Sequence, residues 1–296
     1  MRISNLLLIF IVPAVALSQG SSRGFASLKF PLNAFDAATS EAFVADPTAL
    51  QSVRLNPANI ASRESYDIVF SHMQWIQDIR TENLSLAAPL IFGSLSFSLA
   101  NTSVDDIELR DQPGPPLGTF SSQATIFQLA YGIEATDALR IGIASKYLYE
   151  KIFVDEATGL GFDAGAIYLP PLKGLSLGFA VTNLGNLSAF RTQQTDLPTQ
   201  MRVGGTYAFF LGTMTLRAAA TYSSELSTSN SHLSLGGEFI YKNLFALRFG
   251  YQTGYDSRNL SAGLGIRYTI VSIDYAYVPF SLDLGEAHIL TIGFSL

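Results

Sequence analysis

The sequence predicts an all-β chain, a transmembrane antiparallel β-barrel of about 14 strands with an N-terminal plug segment. Three observations predict it. Apolar and polar residues alternate at period 2 in one segment after another from residue 66 to the C-terminus. The composition is 48% hydrophobic and only 14% charged, where soluble domains carry about 25% charged residues. Beyond the first residues, no stretch holds the roughly 20 consecutive apolar residues that a spanning helix needs. A chain this apolar without a helical span meets lipid through strands whose outer face is apolar and whose lumen face is polar.

The N-terminus reads Met1-Arg2-Ile3-Ser4-Asn5, followed by an apolar run from Leu6 to Leu17. One positive charge, a short apolar stretch and the small-x-small triplet Ala16-Leu17-Ser18 make residues 1–18 a secretory signal peptide, cleaved before Gln19. A membrane anchor is the competing reading. The run falls short of the roughly 20 residues a span requires and contains Pro13. No cysteine follows the site or occurs anywhere in the chain, which excludes a lipoprotein. The expected location is the bacterial outer membrane, with lipid as the first partner. A net charge of −6 without a basic stripe excludes nucleic-acid binding.

Residues 66–296 read as the barrel. Leu175, Leu177, Phe179 and Val181 alternate with Ser176, Gly178, Ala180 and Thr182; Leu290, Ile292, Phe294 and Leu296 alternate with Thr291, Gly293 and Ser295. The same reading places strands at 66–74, 80–89, 92–100, 121–133, 138–150, 159–169, 175–183, 199–209, 213–223, 231–241, 244–252, 259–269, 271–278 and 287–296. A soluble β-sandwich shares the period; the number of such strands after a signal peptide favours the barrel. Connections alternate in length, with short ones expected at the periplasmic end and longer ones at 75–79, 101–120, 151–158, 184–198, 224–230, 253–258 and 279–286 outside, both termini being periplasmic. At Ile270-Val271 the apolar phase flips without a turn residue, so a turn and a bulge both stay open. Tyrosines near strand ends, among them Tyr147, Tyr168, Tyr222, Tyr251 and Tyr268, suit interfacial girdles.

The inward face is mostly Gly, Ala, Ser and Thr with charges of both signs. Arg140, Lys146 and Glu150 share that face, and so do Arg202, Arg217, Glu238, Arg248, Arg267 and Asp274, the candidate lumen network. In lipid each would cost about 2–4 kcal/mol near the midplane, so they face the lumen. Mixed signs favour a structural network over a selective ring. Residues 19–65 lack alternation, carry Pro31, Pro47 and Pro57, and hold Phe25, Leu28, Phe30, Leu32, Phe35 and Phe43. They read as a plug with a short helix near 36–44, whose Asp36, Glu41 and Asp46 are placed to meet lumen arginines.

Catalytic chemistry is not signalled. His72, His232 and His288 lie in different strands without metal-ligand spacing. No base stands oriented beside a nucleophile in a way the sequence reveals; His232 lies beside Ser231 and Ser234 in sequence only. The expectation is a non-enzyme with no cofactor and no metal.

The whole mature chain resembles the PorV/PorQ family, relatives of the FadL-type fourteen-stranded barrels. The cues at the N-terminus are Phe25-Ala26-Ser27-Leu28-Lys29-Phe30, Ala42-Phe43-Val44-Ala45-Asp46 and Asn56-Pro57-Ala58, the last a candidate plug motif. Those in the middle are Gly118-Thr119-Phe120, Gly161-Phe162-Asp163-Ala164-Gly165-Ala166, Thr182-Asn183-Leu184-Gly185 and Leu197-Pro198. At the end come Leu247-Arg248-Phe249-Gly250-Tyr251, Ile273-Asp274-Tyr275-Ala276-Tyr277 and Leu284-Gly285-Glu286-Ala287-His288. The chain departs from the family between Asn33 and Ala42, where an Arg and paired Gly are usual, and at Asn59, where Gly is usual. The resemblance implies a non-enzymatic role beside the type IX secretion system, with partners in the secretion and surface-attachment machinery. The alternative is a FadL-like channel that takes a hydrophobic small molecule, and a third reading is a structural outer-membrane protein. The polar inward positions favour a plugged scaffold with partners at its rims, loops 101–120 and 184–198 above all.

Overall fold

The computed structural model describes residues 24–47, 50–189, 195–226, 228 and 230–296. The signal peptide and its cleavage site lie outside these residues. The strands are β1 Asp67–Gln74, β2 Arg80–Pro89, β3 Ser94–Leu109, β4 Gly118–Thr136, β5 Leu139–Ile152, β6 Asp155–Tyr168, β7 Leu175–Leu187, β8 Thr195–Asp196, β9 Gln200–Leu211, β10 Met214–Glu225, β11 Ser231–Tyr241, β12 Phe245–Gln252, β13 Leu260–Tyr268, β14 Val271–Pro279 and β15 Glu286–Ser295. All pairs are antiparallel. β1 closes on β15, from Asp67 opposite Ser295 to Gln74 opposite His288, and β6 pairs with β7. The two-residue β8 pairs only with the end of β7, so the closed barrel has 14 strands and one extra.

Every strand read from the sequence is present, because period-2 burial is what closes the wall. In β5, Ile141 and Ile143 face out while Gly142, Ala144 and Lys146 are buried within. The exterior carries a continuous apolar surface; Ile143 and Phe249 are each 63% exposed and Leu264 55%. Water would penalise such a surface and lipid accepts it. Among the described residues no helix is long and apolar enough to cross a membrane.

Strand lengths differ from the reading. β3 and β4 run to Leu109 and back from Gly118, so loop 101–120 shrinks to a tip at 110–117. β5 and β6 leave only Phe153 and Val154 between them, not a long loop. The polar residues that suggested a loop before β4, such as Asn101 and Ser103, are paired backbone rising above the apolar band. Thr269 and Ile270 form a turn between β13 and β14, Tyr268 pairing with Val271; Thr269 takes a φ of 51° that turns usually reserve for Gly or Asn. The turn of the two alternatives is therefore the one formed.

Residues 24–47 and 50–62 lie inside the barrel. Asn33 caps a short helix α1, Ala34–Ala38, its side chain accepting from the Asp36 amide at 2.7 Å. The helix was expected near 36–44; the cap starts it at Ala34, and positive φ at Ser40 (51°) and Glu41 (58°) ends it. Single 3-10 turns follow at Leu50–Arg54 and Pro57–Ile60. The segment runs lengthwise. Gly24 packs on Leu187 and Thr195 at the long-loop end, and the chain enters β1 at the short-turn end. The first barrel strand and the C-terminus share an end as expected, but the described start of the segment does not. Toward the long-loop end the lumen is filled: Phe25, Leu28 and Leu32 pack against Ala100, Ile126, Leu148, Leu187 and Leu197. Across from them, Ala34, Ala37 and Ala38 pack against Met73, Trp75, Val278 and Ile289.

The ends of the barrel are testable against the membrane. Asp111 lies in the tip between β3 and β4, and Asn243 in the turn between β11 and β12 at the opposite end. With short turns periplasmic, an impermeant maleimide on intact cells labels Asp111→Cys and spares Asn243→Cys; the cysteine-free background makes the readout clean. The reverse pattern would invert the barrel.

Candidate functional site

The six charges predicted for the lumen network divide into an ion-paired chain and two arginines outside it. Arg217 on β10 donates to Glu238 on β11 at 2.8 Å and to Asp46 of the lumen segment. Arg248 on β12 donates to the other Glu238 oxygen at 2.8 Å and to Asp274 on β14 at 2.6 Å. The link to Asp274 crosses β13, and Gly265 permits it: a Cβ there would meet Asp274 Oδ1 and come within 2.9 Å of the Arg248 guanidinium. Arg202 instead bonds Thr182 Oγ1 at 2.8 Å and the Gln200 side chain. Arg267 faces the open mouth, exposed, and joins none of these ion pairs. Of the three acids expected to meet lumen arginines, Asp46 does. Glu41 pairs with Arg54 of the same segment, and Asp36 bonds Ser52 and Asn33.

Sequence reasoning missed the aromatic half of this contact. The Arg217 guanidinium lies 4.9 Å from the Phe43 ring centroid and that of Arg248 5.1 Å from Phe35, cation–π geometry in a desolvated setting. The apolar content of the segment was visible; which rings meet arginines depends on docking. Burial pushes the Asp36 carboxyl up to about 6 against the pull of Arg54 and the bonds from Ser52 and Asn33. Burial would raise Glu41 too, but Arg54, Arg202 and Arg258 outweigh it and hold that carboxyl below its ordinary value.

Asn56-Pro57-Ala58 is a docking corner. Asn56 Oδ1 accepts from the Ala58 amide at 3.0 Å, and its Nδ2 donates to the Val44 and Ala166 carbonyls at 2.9 and 3.3 Å. Gly165 has no room for a Cβ, because Asn56 Oδ1 occupies that place. Three resemblance cues converge at a bulge between β6 and β7. Lys146, buried, bonds Asp163 at 3.0 Å and Asn183 Oδ1 at 2.6 Å, while Asn183 donates to the Pro198 carbonyl at 3.2 Å.

At the short-turn end the lumen opens into a vestibule of about 610 Å³. Its floor is the ion-paired chain; Phe35, Val69, Leu169, Ala208, Phe210 and Ile240 give it apolar wall, and Arg63, Lys173 and Arg267 also line it. Drug-sized ligands occupy sites of about 300–1,000 Å³.

The barrel superposes on the Pseudomonas putida toluene transporter TodX with a TM-score of 0.59 and 10% identity, covering 89% of this chain and 98% of that one. The chain shares that fold. A Pseudomonas aeruginosa FadL homologue superposes with a TM-score of 0.57 and 13% identity over 89% and 98% of the two chains. The CymD monoaromatic hydrocarbon channel gives 0.56 and 11% over 89% and 96%. No protein-family model matches the sequence, and no curated protein matches it.

Proposed function

We propose that this protein is an outer-membrane channel for small hydrophobic molecules, held closed by its own N-terminal segment. One observation carries the reading: a closed 14-stranded barrel sealed by apolar packing at the long-loop end and open to a vestibule at the other. That fold is shared with proteins named for toluene and monoaromatic hydrocarbon. The described N-terminal residues 24–47 and 50–62 act as the gate, and lateral contact is with outer-membrane lipid. Asn56-Pro57-Ala58 anchors the gate to β5 and β6, and the chain from Asp46 to Asp274 holds its middle. The barrel carries no enzymatic step.

The secretion reading rests on the PorV/PorQ resemblance and on the polar inward face, and the neighbours above support the channel instead. The two separate in one experiment. Cells lacking the gene take up radiolabelled toluene more slowly and keep normal surface display of exported proteins. Normal uptake together with lost surface display would overturn the channel reading and restore the secretion one.

A further inference from the structure

The N-terminal segment is bonded to the two sides of the lumen in different ways. Toward β7–β15 the bonds are direct. Ser176 donates to the Ala45 carbonyl at 2.5 Å, Thr221 to Ala42 at 2.6 Å and Ser261 to Ala38 at 2.9 Å, while the Ala34 amide donates to Thr291 at 2.9 Å. Toward β1–β4 there is a cavity of about 30 Å³. Polar atoms lining it have no partner among the described residues: Asn83 Oδ1, Gln128 Nε2, Gln51 Oε1 and Arg54 Nε. Asn83 is 5% exposed and Gln128 4%. Buried polar groups are almost always satisfied, by protein or by ordered water.

The chemistry of the four atoms selects the guest. Two donate and two accept, and the single cation among them is already paired with Glu41. A neutral molecule that both donates and accepts fits this set, whereas an ion of either sign does not. A water needs roughly 10–15 Å³ of such space, so the cavity takes about two. It also adjoins the vestibule, since Gln51 and Val69 line both.

We infer that vestibule water continues into this cavity, making a hydrated polar seam between the N-terminal segment and β1–β4 that admits water and small neutral polar molecules. The segment is thus bonded directly on one side, while on the other it packs through Val53 and Ile60 with water filling the polar gap beside them. The seam is independent of what the barrel carries.

X-ray radiolytic footprinting of the purified barrel, read by mass spectrometry, tests it, because activated bound water oxidises its neighbours. Leu32 and Val53 line the cavity and are each 7% exposed; Leu28 and Leu55, at 1% and 0%, lie away from it. Normalised to intrinsic reactivity, Leu32 and Val53 label roughly tenfold faster than Leu28 and Leu55, because bound water sits beside the first pair and not the second. In oxygen-free buffer, where dissolved oxygen cannot supply the adduct's oxygen atom, mixing with heavy-oxygen water before the pulse places the heavy isotope in those adducts, because the seam is continuous with the vestibule. In the double variant Asn83→Leu, Gln128→Leu the labelling disappears while surface residues, which report that the barrel has folded, label unchanged. Labelling no faster than at Leu28 and Leu55, adducts carrying only the light isotope, or labelling that survives the double variant would each overturn the seam.

Discussion

Glu238→Leu is expected to destabilise the folded barrel by about 3–5 kcal/mol, the range for removing one partner of a buried ion pair. Glu238 is 4% exposed and receives both Arg217 and Arg248, each at 2.8 Å. Without it two guanidiniums face each other across β11, with Asp46 and Asp274 left to balance them from opposite ends. The loss also undoes the seat of Phe35 and Phe43, whose rings lie under those guanidiniums. Urea unfolding in phospholipid vesicles measures it. Arg267→Leu is the control: its side chain is exposed at the mouth and outside the ion pairs, so the change stays within about 1 kcal/mol. Equal losses in the two variants would mean that the paired chain contributes no more than an exposed lumen charge.

Ile292→Arg is the second large effect. Ile292 sits in the apolar outer band of β15, opposite Phe70 and Ile273, and a lipid-facing arginine near the midplane costs about 2–4 kcal/mol. Sequence phase alone would take Thr291→Arg as the harmless inward counterpart. The structure removes that comparison: Thr291 is fully buried, accepts from the Ala34 amide and shares a hydrogen bond with Ser71, so an arginine there collides with the lumen segment. Thr215 is the proper inward partner, because it lines the open vestibule. Folding yield into vesicles, scored by heat-dependent gel mobility, falls steeply for Ile292→Arg and little for Thr215→Arg. Similar yields would refute the assignment of faces.

The wall was legible because its rule is local. A residue's face follows from its parity in the strand, so Ile141, Leu177 and Phe294 declare themselves outward and Lys146 and Asp274 inward without knowledge of any neighbour. Strand ends were less legible. Above the apolar band a strand such as the end of β3 keeps its ladder but loses the apolar half of its pattern, and Asn101 or Ser103 then looks like loop. The secretion reading followed from motif order, yet the cues that converge on Lys146, Asp163 and Asn183 are contacts of the fold and carry no word about a partner.

The sequence by itself determined the strand number, the facing of side chains along the regular parts of the strands and the presence of a lumen charge set, all consequences of a two-residue period read against lipid; past the bulge at Asn183 that period no longer holds, and Leu187 turns inward. Only the tertiary structure decided which charges meet. Arg217 and Arg248 reach Glu238 because β10, β11 and β12 stand in a register that aligns them, whereas Arg202 on β9 finds Thr182 and Arg267 finds the open mouth. It alone decided that residues 24–47 and 50–62 run lengthwise through the lumen, bonded directly to β6 through Asn56 and to the wall from β7 to β15. That choice depends on glycines such as Gly142 and Gly165 leaving space, and space between distant segments has no period for a sequence to display.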